Sequence, residues 1–224
     1  MQKRARLLAA IGMALIGNLP LPAAEPDRPA LPPTPAVVMG DQFGQQHRLS
    51  TFRGDVVVLV FADRKGAEAS RALGERLHVH FHPTAQGKDA AAAQAAPIKA
   101  PGGWPDGEDV PNVRLVPVAA IGKVPGPLQP LVRQQFRRAV SEGALWLDMS
   151  GTLADWTGVA PGVPNVAVLD ARGRLRDLQT GTFEGDRWDE LTQSIEKLQW
   201  EAAQQAAPLT ASRPQRTSPG ATTR

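Results

Sequence analysis

The 224-residue chain contains no cysteine. Disulfide bonds, thiolate metal sites, iron–sulfur clusters and any reaction that needs a thiolate nucleophile are therefore excluded. The apolar run at residues 7–17 is shorter than the roughly 20 residues that cross a bilayer. The chain also lacks a phosphate-binding loop, a dinucleotide-binding glycine fingerprint and a residue arrangement that suits a hydrolase triad. Thiol chemistry is thus excluded, and no motif indicates a phosphate-loop, dinucleotide-binding or triad enzyme.

The first 24 residues have the pattern of a secretory signal peptide. Residues 1–6 are basic, residues 7–17 are apolar, and Ala23 or Ala24 offers a cleavage site. Because no cysteine follows the apolar run, a lipid-anchored lipoprotein is excluded. We predict export to the periplasm, with no stable membrane anchor once the signal is cleaved. An uncleaved N-terminal anchor is the alternative.

The positive charge of the chain is concentrated at its ends. The whole sequence has 25 basic and 22 acidic residues, and residues 1–24 contain three of the basic residues and no acid. The rest of the chain is therefore balanced at 22 of each sign. A balanced body does not indicate a nucleic-acid surface, so no nucleic-acid partner is expected.

Composition divides the chain into four segments. Residues 1–24 are the predicted signal peptide, and residues 25–35 form a proline-rich linker. Residues 36–202 are predicted to be one folded domain, and residues 203–224 a polar, disordered tail. Within the domain, residues 83–112 are rich in alanine, glycine and proline, which predicts a long flexible insertion.

The strongest strand signal is the run Val56–Phe61, which is apolar on both faces. This pattern is typical of a central strand covered by helices on each side. The next helix is predicted to begin near Asp63 or Gly66 and to end at about Leu77, with Asp63 as a candidate cap. Its buried stripe would consist of Ala69, Ala72, Leu73 and Leu77.

The remaining pattern predicts an α/β fold with a central mixed sheet flanked by helices. Crossover connections favour parallel pairs at the centre of the sheet, with an N-terminal β-hairpin at one edge. The further predicted elements are an N-terminal hairpin over 36–49, strands at 113–121, 144–149, 163–170 and 175–181, an amphipathic helix over 128–140, a short helical turn at 153–158, and a last helix lined by Trp188, Leu191, Ile195 and Leu198.

Four stretches of sequence together carry a family resemblance. They are Asp41–Gly44, Leu49–Phe61, Trp146–Ala154 and Val163–Leu175. The combination resembles the thioredoxin-like superfamily, on the branch that includes peroxiredoxins and TlpA/ResA-like periplasmic proteins. It is most similar to the cysteine-less YtfJ-type periplasmic proteins. The resemblance implies a thioredoxin-like fold, with the positions of the two redox cysteines falling near Gly66 and Ala69.

The resemblance also implies where a binding site would lie. In redox relatives the Val163–Pro164 bond would be cis and would face the start of the first helix; an ordinary trans proline is the alternative. Without a thiolate, no oxidoreductase or peroxidase activity is expected. We instead predict a groove that receives an extended peptide or partner strand. Its residues would be Asp63, Arg64, Lys65, Gly66, Val163 and Pro164. A capped, charged helix start without a ligand is the alternative interpretation of the first four.

Three histidines form the one metal-like cluster. On a strand, His78, His80 and His82 would share a face about 7 Å apart. Imidazole groups suit zinc or copper, although a closed site usually has four ligands and the only other histidine is His47. The alternative is a solvated strand or loop edge, and apart from this cluster no cofactor is expected.

Three functional hypotheses follow from these observations. The first is an exported, non-catalytic module that binds a periplasmic protein or peptide. The second is a metal-binding module that uses His78, His80 and His82. The third is a divergent redoxin-family protein, an enzyme that keeps the fold of oxidoreductases but has different chemistry, and it ranks last because no arrangement of residues in the sequence supports it.

Overall fold

Strands and helices alternate along most of the chain in the computed structural model, which describes residues 31–88, 92–93 and 95–206. The predicted signal peptide, most of the linker and the tail beyond residue 206 lie outside these residues. The strands are β1 (Val38–Asp41), β2 (Gln46–Arg48), β3 (Val56–Ala62), β4 (Val113–Ala120), β5 (Trp146–Asp148), β6 (Asn165–Leu169) and β7 (Leu175–Thr180). The helices are α1 (Ala67–Phe81), α2 (Gln129–Ala139), α3 (Thr152–Thr157) and α4 (Asp186–Ala206).

The seven strands form one mixed sheet in the order β2-β1-β5-β4-β3-β6-β7. β3 pairs in parallel with β4 and antiparallel with β6, while the antiparallel hairpins β1–β2 and β6–β7 lie at the two edges. The β3–α1–β4 crossover, the β6–β7 hairpin beside it and the final helix α4 define a thioredoxin-like α/β fold. The predicted parallel centre and N-terminal hairpin are confirmed.

The central strand β3 is buried along its whole length. Val57, Leu59 and Phe61 pack into a cluster with Trp146 and Leu153 on one face of the sheet. The alternate residues of β3 pack on the other face against the apolar sides of α1 and α4. Side chains of a strand alternate between faces, so a run that is apolar at every position requires cover on both sides.

Helix α1 is one turn longer than the sequence predicted. It continues past Leu77 to Phe81, because Phe81 lies four residues further along the same apolar face. The two alanines assigned to the buried stripe, Ala69 and Ala72, are exposed. The observed buried stripe is Ser70, Leu73, Leu77 and Phe81.

Helix α2 forms where predicted, but its apolar residues are not fully buried. Leu128, just before the helix, is 51% exposed, and Leu131 is 54% exposed. Val132 and Phe136 are half-buried, and the helix also contacts the domain through polar groups. The Arg137 guanidinium donates to the carbonyl of Gln42 at 3.3 Å, and the buried Gln42 amide donates to the Val140 carbonyl. An amphipathic sequence pattern therefore identified the helix but not its degree of burial.

The described part of the insertion at residues 83–112 has little regular structure apart from a short 3₁₀ turn at Pro83–Ala85 and two helical residues at 92–93. These residues are nevertheless fastened to the domain. The Lys99 N–H donates to the Phe81 carbonyl at 2.7 Å, and the Trp104 ring packs on Trp200 with centroids 4.6 Å apart. The sequence did not indicate these contacts because they are made by scattered residues without periodicity.

Helix α4 confirms the predicted apolar stripe and extends beyond the predicted domain boundary. Leu191, Ile195 and Leu198 are buried, and Ala202 is buried near the helix end. The boundary predicted at residue 202 therefore lies inside the helix, which ends at Ala206. In the part of the chain described here, no helix is both long and apolar enough to cross a membrane.

Candidate functional site

Asp63 connects the end of β3 to the loop that precedes β6. Its Oδ1 atom accepts backbone N–H groups from Lys65 at 3.0 Å, from Gly66 at 2.9 Å and from Gly162 at 3.0 Å. The hydrogen bonds from Gly66 first and Gly162 second hold the pKa of Asp63 below its ordinary value of 3.8. One carboxylate oxygen thus binds two loops that are about 100 residues apart in the sequence.

Gly66 caps the N-terminus of α1 and lies in direct contact with Val163. A Cβ atom added to Gly66 would stand 2.8 Å from both the backbone nitrogen and the backbone oxygen of Val163. Its φ of −88° is open to any residue, so glycine is required here for space and not for backbone freedom.

Asn165, the first residue of β6, is hydrogen-bonded to the loop that precedes this strand. Its side chain is fully buried, its Nδ2 donates to the carbonyls of Phe61 and Val163 at 3.3 and 3.0 Å, and its Oδ1 accepts the Ala160 N–H at 2.9 Å. The sequence placed Asn165 at the end of one wall of the predicted groove but did not indicate that its side chain clamps the loop. The available signal was a lone amide at the start of an apolar strand, because a buried amide is costly unless it is hydrogen-bonded.

These contacts bring all six predicted groove residues together. We name the closed contact formed by Asp63, Gly66, Gly162, Val163 and Asn165 the joint.

Within the described part of the chain no peptide bond is cis, so the bond between Val163 and the buried Pro164 is trans. The cis bond that the resemblance implied is therefore wrong, and the alternative, a trans proline, is observed. The side chains of Asp63 and Asn165 hold the loop against the start of α1.

The joint leaves no gap between Gly66 and Val163 for a peptide to enter. Arg64 and Lys65 lie beside it with exposed side chains, and their charged groups have no hydrogen-bond or ion-pair partner among the residues that the structure describes. The only titratable acid of the joint is Asp63, and its Oδ1 atom accepts three backbone N–H groups. The arrangement can present positive charge beside this carboxylate.

The three histidines lie on and just after helix α1, not on a strand. On a helix, His78 and His82 share a face while His80 points elsewhere. The His78 and His82 rings stack with centroids 4.9 Å apart, whereas His80 meets the Trp188 ring edge-on. The strand geometry behind the metal-site prediction is therefore wrong, because the apolar contact of Phe81 keeps this segment helical.

Both ring nitrogens of His82 lie within hydrogen-bond distance of carbonyl oxygens on neighbouring segments. Its Nδ1 lies 2.9 Å from the Ala96 oxygen and its Nε2 lies 3.1 Å from the Val113 oxygen. His78 Nε2 lies 3.2 Å from the Ala93 oxygen. Over the described residues, no group of three or more histidine or acidic side chains is placed to hold a metal ion. His78 and His82 instead fasten the insertion to α1.

No protein-family model matches the chain, and no curated protein matches it either. Among solved structures, it is similar to an exposed lipoprotein thioredoxin of Streptococcus pneumoniae, with 17% identity, a TM-score of 0.47, and coverage of 73% of this chain and 99% of that chain. A secreted thiol-disulfide isomerase of Corynebacterium glutamicum has 18% identity, a TM-score of 0.42, and coverage of 73% and 84%. A thiol:disulfide interchange protein of Chlorobium tepidum has 13% identity, a TM-score of 0.43, and coverage of 77% and 99%.

These likenesses concern the fold alone, because the identities are low and every one of these TM-scores is below 0.5. The strand order and the site define the class: a thioredoxin-like fold without cysteine. At the start of α1 the chain has no sulfur, and Gly66 packs directly against the Val163 backbone.

Proposed function

We propose that this chain is an exported thioredoxin-fold protein that binds an acidic peptide or protein segment and performs no thiol–disulfide chemistry. The observation that carries the proposal is the contact of Gly66 with Val163. A side chain at this position would collide with backbone atoms, so the place of the reactive cysteine has become a packing contact. Such a site can serve recognition but not thiol exchange.

Export to the periplasm is supported by the basic and apolar segments at residues 1–17 and by the cleavage zone at Ala23 and Ala24. A basic start followed by a short apolar run is the pattern that secretion machinery recognises and removes. Kinship with the cysteine-less YtfJ-type periplasmic proteins is the finer form of the same proposal.

The binding surface would be the outer side of the joint. A peptide would lie across Arg64 and Lys65, since the loops are closed against each other at Gly66. The two exposed cations are adjacent on a turn whose backbone is held where Asp63 accepts the Lys65 N–H. An acidic, extended segment is the chemistry that complements this surface.

The binding test uses the purified, signal-cleaved protein and its Arg64→Ala/Lys65→Ala variant. Fluorescence anisotropy with an acidic extended peptide, and a pull-down from periplasmic extract, should both lose signal in the variant. The matched control is Arg138→Ala/Lys197→Ala, which removes two exposed cations elsewhere. Equal loss in both variants would indicate a non-specific charge effect, and unchanged binding in the first would place the contact elsewhere.

The redox arm of the proposal is tested separately. Insulin reduction and peroxide reduction by the purified protein should remain at background, because both reactions require a thiolate. Activity above background that persists in the presence of a metal chelator would overturn this part of the proposal.

A further inference from the structure

A cavity of about 280 Å³ lies at the end of the sheet where β3 begins. Residues 34–38 form one wall, and the turn between β6 and β7 contributes to another. Three arginines line this cavity, Arg48, Arg53 and Arg172, and no aspartate or glutamate does. We name this cavity the arginine pocket.

The carboxylates nearest to these arginines in sequence are already engaged by other cations. Asp55 accepts hydrogen bonds from Arg114, with the ion pair at 3.1 Å. Asp170 pairs with Arg174 at 2.7 Å. Among the described residues, none of the three guanidinium groups of the arginine pocket has an ion-pair or hydrogen-bond partner. Three exposed arginines therefore line one cavity whose lining holds no carboxylate.

The backbone around the arginine pocket is held in place by hydrogen bonds. The Gly54 N–H donates to the Ala171 carbonyl at 2.9 Å, which joins the segment after Arg53 to the turn that carries Arg172. The Leu175 N–H donates to Thr34 Oγ1 at 3.0 Å and fixes the N-terminal wall. A preorganised backbone with unoccupied cationic side chains lowers the ordering cost of binding an anion.

We propose that the arginine pocket binds a small organic dianion, a phosphate ester or a dicarboxylate. Guanidinium groups form paired hydrogen bonds with phosphate and carboxylate oxygens, and three of them concentrate anions at one point. The buried side chain of Leu49 gives the pocket an apolar surface for a carbon skeleton. The volume lies just under the range of about 300–1,000 Å³ typical of drug-sized ligands, which suits a small metabolite.

This site is independent of the joint. Arg53 precedes β3 and Asp63 follows it, and the seven residues of β3 span about 23 Å at 3.3 Å per residue. A ligand in the arginine pocket would therefore touch none of the residues assigned to peptide binding.

The test is calorimetric titration of the signal-cleaved protein at low ionic strength with inorganic phosphate, glycerol phosphate, succinate and acetate. The proposal expects binding of the dianions, with acetate weaker by about tenfold because it presents a single charge. Tighter binding of the phosphates or of succinate identifies the head group. Replacement of one arginine by glutamine should weaken binding about three- to tenfold, and the triple variant Arg48→Gln/Arg53→Gln/Arg172→Gln should abolish it.

The control is the triple variant Lys88→Gln/Arg138→Gln/Lys197→Gln, which makes the same change in net charge on exposed residues outside the pocket. It should retain binding, and circular dichroism should show that both triple variants remain folded. Equal weakening in the two triple variants, or no dianion binding at millimolar concentration, would overturn the proposal. Neither result would affect the test of Arg64 and Lys65.

Discussion

Gly66 lies so close to Val163 that any side chain at residue 66 would collide with the Val163 backbone. A Cβ atom at residue 66 would lie 2.8 Å from both the nitrogen and the oxygen of Val163, which is shorter than real contacts allow. The contact therefore makes residue 66 a packing position between the start of α1 and the loop before β6.

The first prediction concerns the space at this contact. Gly66→Ala should lower the free energy of unfolding by about 1–3 kcal/mol, the usual cost of overpacking, as measured by urea denaturation. The matched control is Gly74→Ala, also in the α1 segment but with nothing within 4 Å of the added Cβ. That variant should be more stable by about 0.5–1 kcal/mol, because alanine favours a helix over glycine. Equal effects of the two variants would show that Gly66 is not tightly packed.

A second prediction concerns the absent cysteines. The variant Gly66→Cys/Ala69→Cys should be destabilised and should not gain insulin-reductase activity comparable to that of a thioredoxin. Sulfur alone would not restore the chemistry, because the new Cβ at residue 66 meets the Val163 backbone. A stable variant with high reductase activity would show that the joint opens easily.

The third prediction concerns Asn165. Asn165→Ala should cost about 1–3 kcal/mol of unfolding free energy, because the buried carbonyl of Phe61 and the half-buried N–H of Ala160 would lose their partner. The half-exposed Asn112 provides the control, since no hydrogen bond of its side chain is seen in the described structure. Asn112→Ala should change stability by less than about 0.5 kcal/mol. If Asn112→Ala lowered the unfolding free energy as much as Asn165→Ala does, the result would contradict the clamping role of Asn165.

The fourth prediction concerns acid stability. Burial first, and then the charge of His82, lowers the pKa of His78 below its ordinary value of 6.5. Burial also lowers the pKa of His80. The unfolded chain therefore binds protons before the folded chain does, so stability should fall as the pH drops through about 6.5. The melting temperature should be lower at pH 5 than at pH 7.5.

The variant His78→Gln/His80→Gln tests that cause, because it should reduce the difference between the two melting temperatures.

A second loss of stability is expected at lower pH. Burial opposes ionisation of Asp41, but hydrogen bonds from His47 and from two backbone N–H groups outweigh it and lower the pKa of Asp41 below 3.8. This stabilisation disappears as the pH falls below that value. An unchanged melting temperature from pH 7.5 to 5 would contradict the predicted loss of stability caused by His78 and His80.

The fifth prediction concerns the insertion. His82→Ala should accelerate hydrogen exchange at Lys99, whose N–H donates to Phe81, because His82 fastens Ala96 and Val113 to the end of α1. His78→Ala should have a smaller effect, since His78 makes one such contact and is only partly buried. Equal exchange rates in the wild type and the His82 variant would show that the insertion is held by other contacts.

The same histidines allow a direct test of metal binding. Stoichiometric Zn²⁺ or Cu²⁺ should not raise the melting temperature, because the ring nitrogens of His82 face carbonyl oxygens and His80 lies on another side of the helix. A rise that is lost in His78→Ala/His80→Ala/His82→Ala would restore the metal-binding hypothesis.

Much of the fold was predictable from local pattern. The seven buried residues of β3 identify a central strand, and the alternation of strands and helices predicts the mixed sheet. Prediction was weaker where one sequence pattern is compatible with two different structures. The sequence from His78 to His82 alternates like a strand, yet residues 78–81 continue α1 because Phe81 completes a helical stripe. The apolar residues of α2 have helical spacing, but spacing does not determine what covers a helix.

The sequence by itself determined that thiol chemistry is absent, because no cysteine is present, and that β3 is central, because it is apolar on both faces. The tertiary structure alone decided that Gly66 closes against Val163, that Asn165 clamps the loop, and that Arg48, Arg53 and Arg172 surround one cavity. The physical reason is sequence separation. Composition and periodicity report on neighbours along a chain, whereas these contacts join segments about 100 residues apart and depend on how the sheet brings its ends together.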